Sequence, residues 1–277
     1  MNIAITGQRG LIGSFLKKRL ESEGHKIVLE VDLRDGKDIR DLKDFKVDFK
    51  VDIMIHLAAH CKINESISNP QKTFNNDIEG TFVVFEFCRK NNIPKIIYFS
   101  SSRILNKERN PYTAAKIYGE ELCKAYKNSY GIDYVIVRPS TVYGPFNDQT
   151  RRLMHIFITN ALENKNLEIY GNPETKTLDF AYINDFVDGF MLAFKNGWGN
   201  VFNLSGKEEY NICDLAKFII KETDSKSKIV IKNMEIAQPQ EVRVNISEIK
   251  KLGYNPKVGV LDGTKRTIEF YKKHLPE

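Results

Sequence analysis

Short runs of β-branched and other apolar residues alternate with longer amphipathic stretches over the first two thirds of the chain. Residues 3–6, 26–32, 51–57, 95–100 and 134–138 are nearly continuous apolar runs, and each predicts a strand. Strands without polar alternation are expected where helices cover both faces of a parallel sheet. Between them, helical periodicity runs over residues 11–22, 73–91 and 114–129. This alternation implies βαβ units, hence an α/β fold with a doubly wound parallel sheet.

The last third is less regular. Strands are predicted at 167–170 and 201–204, and helices at 183–195, 212–223, 247–252 and 261–273. These elements suit a small cap over the carboxyl ends of the sheet, where open α/β folds bind ligands. The expected division gives residues 1–165 with 178–204 to a cofactor-binding domain. Residues 166–177 with 205–277 go to a C-terminal substrate-binding cap.

A 277-residue chain that is 42% hydrophobic and 28% charged is ordinary globular material for such a plan. No apolar run reaches the roughly 20 residues that span a bilayer. The first strand runs straight into a glycine motif with no signal-peptide core before it. The expectation is a soluble, cytoplasmic protein with no membrane partner. Net charge is +6, but the lysines are dispersed and no arginine–aromatic module appears, so no nucleic-acid partner is expected. A mildly positive field does favour an anionic substrate such as a nucleoside diphosphate. Cys61, Cys88, Cys123 and Cys213 are widely spaced and read as reduced thiols. No cluster has metal-ligand spacing, and no metal is expected.

Thr6-Gly7-Gln8-Arg9-Gly10-Leu11-Ile12-Gly13 joins the first strand to the first helix. Glycines let backbone approach a pyrophosphate, and the helix start offers free N–H groups and a positive dipole end. Asp32 ends the second strand, 19 residues beyond Gly13. A carboxylate there accepts the adenosine ribose hydroxyls and repels a 2′-phosphate, favouring NAD. NADP is the alternative, because Arg34 stands near enough to take such a phosphate. Glu30 is a competing carboxylate. Asp38-Ile39 follows in a polar loop, where the aspartate either meets the adenine amino group or caps a helix. Leu57-Ala58-Ala59 ends the third strand with small side chains beside a cofactor path, and His56 reads as a packed core histidine.

Pro111-Tyr112-Thr113-Ala114-Ala115-Lys116 puts a phenol and an ammonium four residues apart, on one helix face. The ammonium favours the phenolate, so the tyrosine can take a proton from a substrate hydroxyl while hydride leaves the same carbon. Ser100-Ser101-Ser102 ends the preceding strand, and Arg138-Pro139-Ser140-Thr141-Val142-Tyr143-Gly144-Pro145 follows the next one.

In that order, these motifs and Asp179-Phe180-Ala181-Tyr182-Ile183-Asn184-Asp185 resemble an extended short-chain dehydrogenase/reductase of the NAD-dependent sugar epimerase/dehydratase family. The resemblance covers nearly the whole length and implies a Rossmann-like fold, NAD and a nucleotide-sugar substrate. It implies Tyr112 as acid/base, Lys116 as its activator and ribose anchor, and Pro139 beside the nicotinamide. Ser102, counted from Lys95, matches the catalytic hydroxyl residue, with Ser101 the alternative by register. Gly7, Arg9, Gly10, Leu11, Ile12, Gly13, Asp32, Asp38, Ile39, Leu57, Ala58 and Ala59 are the remaining expected cofactor contacts. Homodimers that pair two long helices per subunit are implied as well, and 81–87 is apolar on more than one face.

The sequence also departs from that pattern. Asp77 stands where the family has asparagine before its Gly-Thr. Arg103-Ile104 replaces the Asp-Glu pair of the dehydratases, and no cysteine sits in the serine loop, which leaves oxidation and reduction at one carbon. The arginines that grip the diphosphate are replaced by Leu178 and Gln238, with Lys176, Arg243, Arg151 and Arg152 as substitutes to be placed. A nucleotide-sugar 4-epimerase is expected. A one-way 4-ketoreductase or 4-dehydrogenase with exchangeable cofactor is the runner-up, and a non-catalytic dinucleotide sensor the remote third.

Overall fold

The structure, a computed structural model, describes residues 1–235 and 239–274. In chain order its elements are β1 (Asn2–Thr6), α1 (Leu11–Ser22), β2 (Lys26–Val31), β3 (Ile53–His56), α2 (Ile63–Ser68), α3 (Pro70–Thr73) and α4 (Gly80–Lys90). Next come β4 (Lys95–Phe99), α5 (Pro111–Tyr130), β5 (Asp133–Pro139), β6 (Thr141–Tyr143), α6 (Leu153–Leu162), β7 (Leu167–Tyr170) and β8 (Thr177–Tyr182). The last are α7 (Ile183–Asn196), β9 (Asn200–Leu204), β10 (Glu209–Asn211), α8 (Ile212–Glu222), β11 (Ile229–Lys232), α9 (Ser247–Lys251) and α10 (Val260–His274).

Six strands pair in parallel in the order β2-β1-β3-β4-β5-β9. Both faces of this sheet are covered, which is why its strands carry few polar residues. On one face Leu11, Leu16 and Leu20 of α1 join Phe186, Phe190 and Phe194 of α7 in a single apolar cluster. On the other, Val84, Phe85 and Phe87 of α4 pack with Cys123 and Tyr126 of α5. Each fully buried phenylalanine contributes about 1.5–3 kcal/mol relative to exposure. The chain reverses its direction of travel across the sheet between β1 and β3, and a doubly wound sheet opens a crevice at that point.

A third apolar cluster lies outside the sheet. Met154, Phe157 and Ile158 of α6 meet Leu178 and Phe180 of β8, Leu215 and Ile219 of α8, and Ile268 of α10. Two small sheets, β10-β8-β6 and β11-β7, frame it.

Local differences from the expected elements have local causes. β2 stops at Val31, because the Asp32 side chain accepts from Arg34 N and caps a 3-10 turn. The helix expected over 73–91 is broken by a π-helical turn at Phe74–Glu79. The helix expected from 114 starts at Pro111, where Asn110 and Thr113 cap each other reciprocally. α2, α6, β6, β8, β10 and β11 are additional to the predicted set. The apolar run of α6 reads equally well as strand or helix.

Candidate active site

β1 delivers the glycine loop to the crevice. Gly7 takes a left-handed backbone (φ +77°), and a Cβ there would meet Ala58 N at 2.7 Å. A Cβ on Gly13 would come within 2.3 Å of Gly7 O. Only glycine allows these close approaches. Gly10 caps α1 with no side-chain bond, and the first turn holds no acid. The N–H groups at the start of α1 are therefore open to an anion.

Asp32 is nearly buried at the end of β2. Its two oxygens accept from Arg9 N at 2.9 Å and Arg34 N at 3.0 Å, leaving lone pairs for ribose hydroxyls. Arg9 turns outward instead, to pair with Asp35 at 2.6 Å, and does not line the cavity. Only its backbone serves the site. Asp38 does the work of a cap, accepting from Arg40 N at 2.9 Å, and its carboxylate pairs with the Arg40 side chain at 2.6 Å. His56 bridges Thr6 Oγ1 (2.8 Å) and Thr81 Oγ1 (3.2 Å). Burial pushes its pKa down to about 3, so it is a neutral core residue.

A cavity of about 1100 Å3 starts at the glycine loop. Gly7, Gly10, Leu11, Ile12 and Gly13 line its first end with Asp32, Asp38 and Ile39. Leu57, Ala58 and Ala59 line the middle, followed by Tyr112, Lys116 and Pro139. It continues past Ser101 and Arg103 to Arg152, Ile156, Phe157, Lys176 and Leu178. These residues come from both the sheet and the third cluster.

The first turn of α5 places Tyr112, whose backbone N donates to Ser66 Oγ of α2 at 3.3 Å. One turn on, the Lys116 ammonium is buried, donates to Phe99 O at 2.9 Å and stands 5.9 Å from the centre of the Tyr112 ring. The expectation that this ammonium lowers the phenol is corrected here. Burial dominates and holds Tyr112 above its usual range, opposed by a hydrogen bond with Ser101 and by the Arg103 charge. The two candidate serines stand differently. Ser101 lines the cavity, whereas Ser102 is buried and absent from the lining. The cause is the 3-10 turn Ser102–Leu105, which Ser101 caps by accepting from Arg103 N at 3.2 Å. Arg138 holds α5 to β5 through Glu120 (2.7 Å from Nε), steadying Pro139 beside them.

At the far end, Leu178 lines an apolar wall, and Gln238 lies outside the described residues. Of the substitute cations, Lys176 and Arg152 line the cavity, while Arg151 and Arg243 are exposed elsewhere. Arg152 is held by Asp148 at 2.7 Å. Arg103 is the wall residue that sequence reading missed as a contact. Its signal is a lone arginine directly after the serine run.

Asp179, in the motif of β8, accepts from Val244 N. Burial pushes its carboxyl up to about 6. A raised carboxyl pKa means stability present in acid is lost as pH climbs from about 4 to about 6. Asp179→Asn keeps the acceptor and removes the buried charge. It should stabilise the protein by about 1–3 kcal/mol at pH 7 and leave it unchanged near pH 4, as read by denaturant unfolding.

A glycine cradle at the switch point and a Ser-Tyr-Lys wall in one cavity define a dinucleotide-dependent enzyme acting on a carbinol. The chain belongs to the NAD dependent epimerase/dehydratase family, which its residues 3–213 match. NAD is thus its cofactor class, and the cradle and Asp32 fit that group. It is 26% identical over 310 residues to a UDP-glucose 4-epimerase of Mycolicibacterium smegmatis, covering 98% of this chain and 99% of the relative. A UDP-glucuronic acid 4-epimerase of Bacillus cereus, solved with UDP-glucuronic acid and NAD, is 26% identical with a TM-score of 0.86, covering 99% of both chains. A UDP-glucose 4-epimerase of Thermotoga maritima shares the fold (TM-score 0.90, 24% identity, 100% of both chains). Among the described residues no helix is long and apolar enough to cross a membrane.

Proposed function

We propose that this chain is a nucleotide-sugar 4-epimerase that works by transient oxidation of a sugar hydroxyl, with Tyr112 as acid and base. The observation that carries the reading is that Ser101, Tyr112 and Lys116 line one cavity with the glycine loop. Gly7, Gly10, Leu11, Ile12 and Gly13 would hold the pyrophosphate of NAD, Asp32 its adenosine ribose, and Asp38-Ile39 its adenine side. Leu57-Ala58-Ala59 would flank it, Lys116 would hold the second ribose and Pro139 would border the nicotinamide. NAD held there would supply the acceptor and donor of hydride for one sugar carbon.

Tyr112 accepts the hydroxyl proton as that carbon becomes a ketone, and gives the proton back as the carbinol re-forms. Ser101 orients the reacting oxygen by hydrogen bonding, and Lys116 keeps a positive charge at the tyrosine. Inversion needs the ketone to turn over between the two transfers, in the part of the cavity that continues past Ser101 to Arg152, Lys176 and Leu178. Arg103-Ile104, in place of two carboxylates, supports chemistry confined to one carbon. The expected division, 1–165 with 178–204 for the cofactor and 166–177 with 205–277 for the cap, would shift in one respect, because α6 and β8 pack with the cap in the third cluster. A second copy of the chain would cover α4, where Phe82 is 46% exposed.

One preparation tests this reading. Purified protein is heat-denatured and released NAD is counted, with about one per chain expected from tight retention. The intact protein should interconvert a nucleoside diphosphate hexose and its C4 epimer without accumulating NADH, and should elute at twice 31.9 kDa. Steady NADH formation that depends on added NAD would instead establish a one-way dehydrogenase.

A further inference from the structure

Arg103 follows the serine run and lies in the 3-10 turn Ser102–Leu105. Its backbone N donates to Ser101 Oγ, so its side chain leaves the wall two residues from the hydroxyl that meets Tyr112. The guanidinium lines the cavity, and its Nη1 is buried without a hydrogen-bond partner. Among the described residues it has no ion-pair partner within 4.0 Å, although twenty-two such pairs form elsewhere.

A second cation faces the same space. Lys176 precedes β8, lines the cavity and donates to Pro239 O at 2.6 Å. Burial, and then the Arg103 charge, pushes the Lys176 ammonium below its ordinary range. Two acids also line this side, and Glu235 raises the Lys176 ammonium in part against the other two causes. Glu235 is bonded by Asn64 Nδ2 at 2.5 Å, and Glu168 by Tyr170 at 2.7 Å and Lys232 at 3.4 Å. Glu235 offsets part of the charge on Lys176, but no carboxylate among the described residues acts on Arg103, and a buried guanidinium without a countercharge is costly to maintain. The neighbouring wall, with Leu178, Ile156 and Phe157, is apolar and supplies no countercharge.

We propose that Arg103, backed by Lys176, is the anion anchor of the substrate chamber. Its planar fork takes a pair of anionic oxygens, from the diphosphate or from a carboxylate on the sugar, and so fixes the sugar relative to Tyr112. The proposal rests on reading the chamber as a nucleotide-sugar site. Arg103 is a specificity-determining residue here and takes no part in proton transfer. The anchor lies 75 residues before Leu178, the position expected from sequence.

The test is calorimetric titration of NAD-loaded protein, wild type against Arg103→Leu, with inorganic pyrophosphate, uridine, UDP, UDP-glucose and UDP-glucuronate. If the fork holds the diphosphate, Arg103→Leu weakens pyrophosphate, UDP and UDP-glucose alike by about 10- to 100-fold and leaves uridine unchanged. If it holds a sugar carboxylate, UDP binding is kept and the preference for UDP-glucuronate over UDP-glucose is lost by the same factor. Arg103→Lys should keep binding better than Arg103→Leu in either case. Without ligand, Arg103→Leu should unfold no earlier than wild type, because it removes an unpaired buried charge. A merely structural arginine would lower that midpoint.

Affinities within twofold of wild type for every anion would overturn the anchor, as would a wild type that binds none of them. If no uridine nucleotide binds but pyrophosphate does, and Arg103→Leu abolishes it, the anchor stands. The nucleotide assumed for the substrate then falls.

Discussion

Tyr112→Phe should lower kcat by about 10²- to 10⁴-fold, the usual worth of one positioned acid–base group. The substitution removes one oxygen from a side chain that is only 7% exposed. The ring stays in its place on α5, with the helix start still capped by Asn110 and Thr113. Ser101 keeps Arg103 N as a donor, so the structural cost is at most about 1 kcal/mol. NAD released on denaturation should match wild type, since the glycine loop, Asp32 and Lys116 are untouched. KM should change little, because the proton transfer is made only in the transition state. Full activity in the variant would remove Tyr112 from the chemistry.

Gly13→Ala is the second large effect. Its methyl group would lie 2.3 Å from Gly7 O and 2.7 Å from Gln8 Cα, and both are backbone atoms that cannot swing aside as a side chain can. The loop is itself pinned, by Gly7 N to Val31 O at 2.9 Å and Gly10 N to Gly7 O at 3.2 Å. Overpacking there should cost about 1–3 kcal/mol of stability. Displacing the loop should also weaken NAD retention by about 100-fold, roughly two charge-assisted hydrogen bonds. Thermal unfolding reads the first effect and NAD content the second. Gly24→Ala is the control. Gly24 is left-handed (φ +82°), unlike Gly13, and has nothing within 4 Å of its added Cβ, so that variant should lose some stability and keep its NAD. A Gly13→Ala protein with full NAD content would mean that the loop is not the pyrophosphate cradle.

Much of the sheet was legible because its causes are local. The bounds of α1 coincide with the periodicity over 11–22. The five apolar runs before residue 140 are β1 to β5, since a strand buried on both faces leaves a continuous apolar record. Asp32 and the glycines could be placed because their spacing from strand and helix ends is itself the signal. The start of α5 at Pro111 was readable too, from Asn110-Pro111 with Thr113 at the third helical position, but the apolar pattern alone put it three residues late. The π turn at Phe74–Glu79 left no mark in that pattern. It depends on how α3 and α4 pack against α5, and it buries Asp77, which accepts from His60 N at 2.6 Å.

By itself the sequence determined the fold class, the cofactor loop and the Tyr112–Lys116 pair, because each is written in spacings shorter than one strand–helix unit. Only the tertiary structure decided which serine of the pair weighed, Ser101 or Ser102, lines the cavity, since the 3-10 turn after β4 buries Ser102. It alone showed that burial, more than the neighbouring ammonium, sets the acidity of Tyr112, because desolvation depends on what the whole chain packs around the ring. It alone brought Arg103 and Lys176 to one chamber. They are 73 residues apart, and no periodicity records which side chains a folded chain turns toward the same water-poor space.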